Sequence, residues 1–323
     1  MKLLQTISGL LLLLAFGHAP ALGQARNLKI CAPDYSGGTM HLLIAVHKGF
    51  YKQEGLDVEV LAARGTLCTT ALIAGSVQFT SSPSTFDSLV AGDIPGKVIY
   101  VSAKFLLHSL VVAPDVKTFA DLKGKSIAIS SYGSLTDQLT REILEDNGVT
   151  PMKDVLLLQT GSPGVRYAAL KSKRVNGALL SSQHTITALQ EGFRELKYDP
   201  PPYVSQPLIT TDEILKKQPQ MVRALLRGTI KGHLFFEQKP EETVALMQKL
   251  LRIDDKKQTM LFYEDERRRS NSGGGFPEPS MMRVIERARE TRKISRKVAV
   301  NDVFSIATAA EVEKELKQAG WKP

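Results

Sequence analysis

The sequence predicts an α/β protein with two similar lobes, each a mainly parallel sheet flanked by helices. Three observations support this fold class. Short β-rich runs alternate with helix-sized segments between residues 28 and 180, and that spacing needs crossover connections between parallel strands. The stretches Ala71–Phe79 and Ala169–Gly177 share one order of helix end, polar turn, valine and amide residue. A chain of 323 residues, 43% of them hydrophobic, is long enough for about two separate cores.

The first half of the alternation contains three strands and two helices. Leu28–Ala32 is β-rich, and a loop with two glycines separates it from a helical segment at His41–His47. A glycine turn precedes the alternating run Leu56–Val60, which is typical of a half-buried strand. A helix that ends at Ala74 and the short strand Val77–Thr80 follow. This is the order of a β-α-β-α-β unit, whose strands are parallel.

The second half repeats that order. The predicted strands are Ser126–Ser130, Val155–Gln159 and Gly177–Leu180. The helices between them are Leu135–Asp146, which an Asn-Gly pair terminates, and Val165–Lys173. The recurrence predicts a second lobe built like the first.

The remainder of the chain reads as successive helices. Amphipathic faces follow one another from Thr211 onward and end with a terminal helix at Ala310–Gln318. Prolines, which force extended chain, mark the lobe boundaries near residues 113 and 202. We therefore expect a discontinuous first lobe of residues 26–112 plus 206–323, and a second lobe of residues 113–205.

The N-terminal residues 1–25 have the features of a secretory signal. Lys2 precedes a short apolar core at Leu10–Phe16, and small residues offer cleavage sites near Gly23 or Ala25. The alternative is an uncleaved anchor, but the apolar stretch falls short of the roughly 20 residues that a spanning helix needs. We expect an exported protein in the periplasm.

The charge balance favours anionic partners. Lys and Arg total 42 against 33 Asp and Glu, a formal charge of +9. Nucleic acid is not expected, because the basic residues are scattered and no aromatic-basic sheet motif accompanies them. The one dense run, Arg267–Arg269, follows three acidic residues at Glu264–Glu266, and we interpret it as a solvated loop.

The two cysteines, Cys31 and Cys68, leave two interpretations open. In an oxidising compartment they could form a disulfide. Sequence spacing does not tell whether their Cα atoms are close enough, and isolated buried thiols are the reading we favour. Metal binding by this pair alone is not expected, since a site needs more ligands.

One run resembles the opening of a known family. Ala45–Val58 reads AVHKGFYKQEGLDV and is similar to the extracytoplasmic solute-binding proteins of ABC importers for sulfonates, taurine, nitrate and thiamine-type pyrimidines. Further matches follow in the family's order at Ala71–Phe79, Phe119–Ala128 and Ala169–Leu180. Together they cover roughly residues 28–260. The sequence departs from the family at Gln78 and Asn176, where an acidic residue is usual.

The resemblance implies a type II periplasmic-binding-protein fold, with two lobes joined by a two-stranded hinge and a ligand held between them. We expect a monomer without a cofactor that captures a small solute and delivers it to an ABC permease in the inner membrane. The basic charge makes an anionic organic solute the expected ligand. Two alternatives remain: an enzyme on the same fold acting on a pyrimidine or similar molecule, and a solute sensor for a membrane signalling partner. The family's cysteine-rich enzymes are not matched here, since only two cysteines occur.

Candidate ligand-binding residues follow from the rule that ligands bind beyond the carboxyl ends of the strands in an open parallel sheet. Helix N-termini also meet those ends and present unpaired N–H groups. Among the candidates, Arg64 and Arg166 are suited to pair with an anion, and Tyr35 and Tyr132 to stack on an organic group. The full set is Tyr35, Ser36, Gly37, Gly38, Arg64, Gly65, Thr66, Ser81, Ser82, Ser84, His108, Ser131, Tyr132, Gly133, Ser134, Arg166, Ser182 and Gln183. His184 is a weaker candidate.

Helix capping is the structural alternative for the serines. Ser84–Asp87 and Ser134–Asp137 both match the capping-box pattern. A search for catalytic motifs finds no complete phosphate-binding loop, nucleophile elbow or zinc-binding histidine pair. We therefore expect a binding protein with neither catalytic nor metal-ligating residues.

Overall fold

The computed structural model describes residues 26–33, 35–105, 108–199 and 202–323. The predicted signal peptide lies outside these residues. The strands are β1 (Arg26–Ala32), β2 (Leu56–Ala62), β3 (Phe79–Thr80), β4 (Gly96–Phe105), β5 (His108–Val112), β6 (Ser126–Ile129), β7 (Leu156–Gln159), β8 (Gly177–Ser181), β9 (Arg194–Leu196) and β10 (Pro202–Thr211). The helices are α1 (Met40–His47), α2 (Phe50–Gln53), α3 (Gly65–Ile73), α4 (Ser84–Ala91), α5 (Leu135–Asp146), α6 (Pro163–Lys171), α7 (Ser182–Gln190), α8 (Asp212–Lys217), α9 (Pro219–Gln238), α10 (Pro240–Leu251), α11 (Lys256–Arg269), α12 (Glu278–Arg292), α13 (Val300–Val303) and α14 (Ala307–Gln318).

The strands form two five-stranded sheets with the same topology. The first has the order β2-β1-β3-β10-β4, and the second has the order β7-β6-β8-β5-β9. In each sheet the first three strands pair in parallel, while the fourth is antiparallel to both neighbours. Four of the five strands in each sheet thus point the same way, and the predicted fold class of two mainly parallel, helix-flanked lobes is confirmed. We call the part built on the first sheet lobe 1 and the part built on the second sheet lobe 2.

Both connections between the lobes leave from the same edges. β4 runs parallel to β1 and β3, so the chain leaves the first sheet at its carboxyl edge. It enters β5 beside the carboxyl end of β8, since His108 pairs with Ser181. The return from β9 to β10 joins the same two edges. The carboxyl edges of both sheets therefore meet at the junction between the lobes.

The sheet pairing moves the predicted lobe boundaries by a few residues. β5 was placed in the first lobe by the predicted boundary after Val112, but it pairs with β8 and β9 in the second sheet. Residues 202–205 were placed in the second lobe, but they belong to β10, which pairs with β4. In each case a strand begins where the chain has just crossed from the other sheet, and proline positions alone do not reveal this.

Each lobe has its own cores. In lobe 1 the long helix α9 packs on α1 and α2, with Leu225, Leu226 and Ile230 fully buried. The approach of α9 to α1 is so close that a Cβ on Gly232 would lie 2.3 Å from the His41 carbonyl oxygen. In lobe 2 the helix α5 buries Leu139 and Ile143 against the second sheet. These cores fix the sheets, and hence the loops at their edges.

The two stretches that share one sequence pattern, Ala71–Phe79 and Ala169–Gly177, also make equivalent hydrogen bonds through their amide residues. The side-chain oxygen of Gln78 accepts from the Lys29 N–H at 3.0 Å, and that of Asn176 accepts from the Ser126 N–H at 3.1 Å. Each amide thus stands just before a strand and accepts a hydrogen bond from the backbone of the neighbouring parallel strand. The two departures from the family's acidic residues therefore keep a hydrogen-bond acceptor at this position.

A disulfide joins Cys31 in β1 to Cys68 in α3, with the Cα atoms 5.3 Å apart. The interpretation of isolated thiols is therefore wrong. Both cysteines are at most 3% exposed, because α3 packs directly on β1. The bridge ties α3, which begins at Gly65, to the strand that leads into the Tyr35–Gly38 loop.

The interpretation of Arg267–Arg269 as a solvated loop is also wrong. The run forms the last turn of α11, and Arg269 is only 6% exposed. Its guanidinium pairs with the equally buried carboxylate of Glu266. The two residues are three positions apart and therefore lie on the same face of α11. This face is buried although the local sequence is highly charged.

The lobes contact each other on both sides of the junction. On one side, Gln258 in α11 donates a hydrogen bond to Thr187 in α7 at 2.7 Å. On the other side, Arg287 in α12 forms an ion pair with Glu142 in α5. Within the described ranges no helix is long and apolar enough to cross a membrane.

Candidate ligand-binding site

The loop after β1 forms one wall of a pocket in lobe 1. Gly37 and Gly38 line it together with side chains from β4, α9 and α11, and its free volume is about 20 Å³, roughly the room that one water molecule needs. Glycine is required here, because a Cβ on Gly37 would lie 2.5 Å from Glu266 Cγ and one on Gly38 would lie 2.7 Å from Gln206 Nε2. The two predicted glycines thus let other side chains approach the loop closely.

Two neutral histidines form the floor of this pocket. His41 and His233 stack with ring centroids 4.9 Å apart. Burial lowers the pKa of His233 to about 3, and burial with the neighbouring His233 ring lowers the pKa of His41 well below its usual value. Both imidazoles are therefore uncharged at neutral pH.

A chain of hydrogen bonds fixes the tautomer of His233. The Ser270 hydroxyl donates to the Glu237 carboxylate at 2.7 Å, so it must accept from His233 Nε2, 2.6 Å away. His233 Nδ1 then accepts from the Tyr100 hydroxyl at 2.5 Å. Both ring nitrogens are used within the protein. His233 consequently offers a ligand only its ring surface.

The predicted serine loop after β3 lies beside the N-terminus of α3. The hydroxyls of Ser82 and Ser84 are 2.8 Å apart, and both would be 2.7 Å from a Cβ on Gly65. The Ser81 hydroxyl is buried and has no hydrogen-bond partner among the described residues. The expected capping box at Ser84 is not formed, because α4 begins with Ser84 itself and its cap position is Pro83.

Arg166 is the main charged group at the edge of lobe 2. Its side chain is 3% exposed, and it donates to the Leu179 carbonyl from Nε at 2.9 Å and to the Gly161 carbonyl from Nη1 at 2.7 Å. No carboxylate pairs with it in the described part of the chain. Burial lowers its pKa to about 10, so the guanidinium remains charged at neutral pH. A buried cation without a counter-charge is costly unless an anion joins it.

Three further polar atoms lie unpartnered at the same edge. Ser182 Oγ, His108 Nδ1 and His184 Nδ1 are buried and make no hydrogen bond to any described residue. Burial lowers the pKa of His108 to about 3, and the charges of Arg166 and Arg269 add to the effect. Arg166 of lobe 2 and Arg269 of lobe 1 thus both act on this ring, as expected where the carboxyl edges of the two sheets meet.

The two predicted tyrosines occupy equivalent positions in the two lobes. The Tyr35 hydroxyl donates to the Val60 carbonyl at 2.7 Å, and the Tyr132 hydroxyl donates to the Leu157 carbonyl at 2.9 Å. Each tyrosine therefore anchors its loop to an outer strand of its sheet. About half of each side chain is exposed, so their rings remain accessible.

The loop before α5 uses its polar atoms locally. The Ser134 hydroxyl caps α5 by accepting from the Asp137 N–H at 3.3 Å, as the sequence predicts. The Asp137 carboxylate accepts in turn from the Gly133 N–H at 2.8 Å rather than from Ser134. Ser131 accepts a bond from Ser134 through its carbonyl oxygen and is otherwise exposed.

The structure thus groups the predicted residues unevenly. It brings Gly65 against Ser82 and Ser84, and it places His108, Arg166 and Ser182 together at the edge of lobe 2. Arg64 and Thr66 are exposed at the start of α3, and Ser36 and Gln183 are half-buried beside their loops. No group of three metal-ligating side chains is found among the residues that the structure describes.

The sequence did not single out four residues of the junction: His41, Gln206, His233 and Arg269. They lie on helices or in a strand interior, away from the loops at the carboxyl ends of the parallel strands. Only Gln206 has a local signal, since Pro207 follows it and a proline within a strand marks a bulge or another irregular position.

Comparison with known proteins agrees with this architecture. The family model described as "NMT1/THI5 like" matches residues 38–243. A Brucella abortus (strain 2308) protein described by name as a binding protein is 24% identical over 252 residues, which are 75% of this chain and 77% of that protein.

Solved structures confirm the fold. The periplasmic aliphatic sulphonate binding protein SsuA of Escherichia coli matches with a TM-score of 0.68 and 18% identity, over 87% of this chain and 92% of that one. The periplasmic nitrate-binding protein NrtA of Synechocystis PCC 6803 matches with a TM-score of 0.66 and 16% identity, over 92% and 89%. The predicted periplasmic-binding-protein fold is thereby confirmed.

Proposed function

The chain belongs to the NMT1/THI5-like family, and from that premise we propose that it is an extracytoplasmic solute-binding protein of an ABC import system. It captures a small anionic organic solute between its lobes and delivers it to a permease in the inner membrane. It acts as a monomer, without a cofactor, and returns the solute unchanged. The binding-protein names of its relatives and the fold that it shares with sulfonate- and nitrate-binding proteins support this proposal.

The buried guanidinium of Arg166 is the observation that carries the anionic assignment. It lies at the carboxyl edge where strand-end loops of both sheets meet, and it has no acidic partner in the described part of the chain. This charge loses its hydration when the protein folds, so an anion that reaches it is attracted with little further desolvation of the protein. Burial lowers the pKa values of His108 and His184, so these rings are uncharged at neutral pH and Arg166 is the charge that attracts the anion at this edge.

Two further groups support a site shared by both lobes. Ser81 Oγ in lobe 1 and Ser182 Oγ in lobe 2 are buried hydroxyls without partners among the described residues. A buried hydroxyl without a partner costs about 1–3 kcal/mol, and a polar solute would recover that cost. Arg64, exposed at the start of α3, is proposed as a second cation for the solute.

The proposal is tested by a thermal-shift screen of the mature protein against sulfonates, carboxylates, nitrate, pyrimidines and aromatic acids. A ligand at a thousand times its Kd stabilises the folded state by about 4 kcal/mol. Arg166→Gln should abolish the stabilisation by an anionic hit, and Arg166→Lys should retain part of it. The control is Arg141→Gln, which removes a lobe 2 arginine already paired with Asp137 at 2.8 Å.

The results separate the alternatives. The proposal is supported if an anion stabilises the wild type and the control but not Arg166→Gln. The circular dichroism spectrum of Arg166→Gln must be the same as that of the wild type. An anionic hit that binds Arg166→Gln as tightly as the wild type removes Arg166 from the site. Mass spectrometry of the recovered hit should show it unchanged, and its conversion by the purified protein alone would establish an enzyme instead.

A further inference from the structure

Gln206 has an unusual backbone conformation for a strand residue. It lies within β10, between Ser205, which pairs with Ala103, and Pro207, which pairs with Val101. Its φ of +48° lies in the left-handed region, which costs a residue with a Cβ about 1 kcal/mol or more. The other non-glycine residues with positive φ in the described ranges lie in turns or at helix ends. Such strain inside a strand persists only where neighbouring contacts hold it.

Those contacts fix Gln206 from both sides. The Ser102 hydroxyl donates to the Gln206 carbonyl oxygen at 3.1 Å, and Ser102 is 3% exposed. The side-chain nitrogen lies against Gly38, 2.7 Å from the position that a Cβ there would occupy. The side-chain oxygen, by contrast, is buried and accepts no hydrogen bond from any described residue. The strained backbone thus presents an amide oxygen that lacks a donor.

The strand register places Gln206 at the edge of lobe 1 that faces lobe 2. Ile209 pairs with Thr80, so Gln206, three residues earlier in the antiparallel β10, lies beyond the end of β3 at the carboxyl edge of the first sheet. That edge faces the edge of the second sheet at which Arg166 lies. The junction therefore combines an unpaired cation in lobe 2 with an unpaired acceptor in lobe 1.

Resting on the function proposed above, we propose that the solute carries an N–H or O–H donor besides its anionic group, and that the Gln206 side-chain oxygen accepts it. The substrate class is then a small organic acid with a hydroxyl, amine or amide group. An anion without a donor, such as nitrate or a simple alkanesulfonate, leaves the Gln206 oxygen unpaired and binds more weakly. Gln206 is the residue that determines this specificity.

Pairs of probes that differ only in the donor test this inference. Isothermal titration calorimetry on the mature protein compares 2-hydroxyethanesulfonate with propane-1-sulfonate, and 3-hydroxypropanoate with butanoate. In the wild type, the hydroxyl member of at least one pair should bind at least about tenfold more tightly, because the other member leaves the buried Gln206 oxygen without a hydrogen-bond donor. Gln206→Met should bring the two affinities within about twofold, mainly by weakening the hydroxyl member. Gln190→Met, on the exposed end of α7, is the matched control and should keep the wild-type ratio.

Every outcome of the titrations decides a point. Equal affinities within both pairs in the wild type, with Arg166→Gln weakening all members, overturn this inference and leave the proposed function intact. A wild-type preference that survives Gln206→Met overturns the assignment to Gln206. If neither these probes nor any anion of the wider screen binds, the proposed function fails and this inference fails with it.

Discussion

The disulfide between Cys31 and Cys68 should be a major contributor to the stability of lobe 1. It closes a loop whose ends are 37 residues apart in sequence. The bond restricts the unfolded chain more than the folded one, and for a loop of this length the entropic effect amounts to about 4 kcal/mol at 25 °C. This is a large part of the roughly 5–15 kcal/mol that stabilises a typical domain. Reduction should therefore bring lobe 1 close to unfolding.

The assay compares urea unfolding of the oxidised protein with that of protein refolded under reductant. The chain has one tryptophan, Trp321, which packs edge-on against Phe50 with ring centroids 5.6 Å apart in the lobe 1 core. Its fluorescence therefore reports the unfolding of lobe 1. The free energy of unfolding should fall by about 4 kcal/mol on reduction.

A Cys31→Ala/Cys68→Ala variant is the control for the reductant. The sequence has no other cysteine, so unfolding of this variant should not respond to reductant at all. Coincident unfolding curves for oxidised and reduced wild type would refute the reasoning. So would the titration of two free thiols in native protein exported to an oxidising compartment.

Three further predictions concern packing, pH and the tyrosine anchors. Gly232→Ala should destabilise the protein by about 2 kcal/mol or more despite the better helix propensity of alanine, whereas Gly164→Ala, whose Cβ would have its nearest contact at 3.6 Å, should be neutral or stabilising in urea unfolding. Burial lowers the pKa values of His108 and His233 to about 3, so between about pH 6.5 and about 3 these histidines are protonated in the unfolded chain but not in the folded one. The free energy of unfolding should therefore fall with decreasing pH by about 1 kcal/mol per pH unit for each histidine. A free energy of unfolding that is the same at pH 7.5 and 5.5 would contradict this. Tyr132→Phe should cost about 1 kcal/mol of stability and leave the affinity for any anionic hit within about twofold, and a tenfold loss of affinity would instead place its hydroxyl in the site.

The fold was predictable from the sequence where local periodicity controls it. The helix at Leu135–Asp146 has the bounds that its amphipathic pattern and its Asn-Gly terminator predict. The repeated αβ units were recognised because each strand and helix is short and bounded by turn residues. The strands β4 and β10 were not predicted, since they pair with each other across about a hundred residues of intervening chain, and local sequence contains no record of that pairing.

Two errors have a common physical cause. The Arg267–Arg269 run was interpreted as a loop because its local charge is high, but tertiary packing buries Arg269 with Glu266 as a pair. The cysteines were interpreted as separate because their spacing does not reveal that α3 packs on β1. In both cases the deciding contact is between groups whose proximity only the assembled fold determines.

The candidate site was predictable in outline for a geometric reason. Strand-end loops converge at the carboxyl edge of a parallel sheet, and that rule predicts Ser81, Arg166 and Ser182 as candidates. The rule does not reach residues such as Gln206, because an antiparallel strand brings an interior residue to the same edge. The same rule does not predict the hydrogen bonds of the Tyr35 and Tyr132 hydroxyls, since these donate to carbonyl groups of the outer strands β2 and β7.

A crystal structure of the mature protein grown with its best anionic hit tests the central claim most directly. The account predicts density for the acid group within hydrogen-bond distance of the Arg166 guanidinium, with the remainder of the molecule enclosed by residues of both sheets. Density for the hit bound elsewhere on the surface, with the junction between the lobes unchanged, would contradict it.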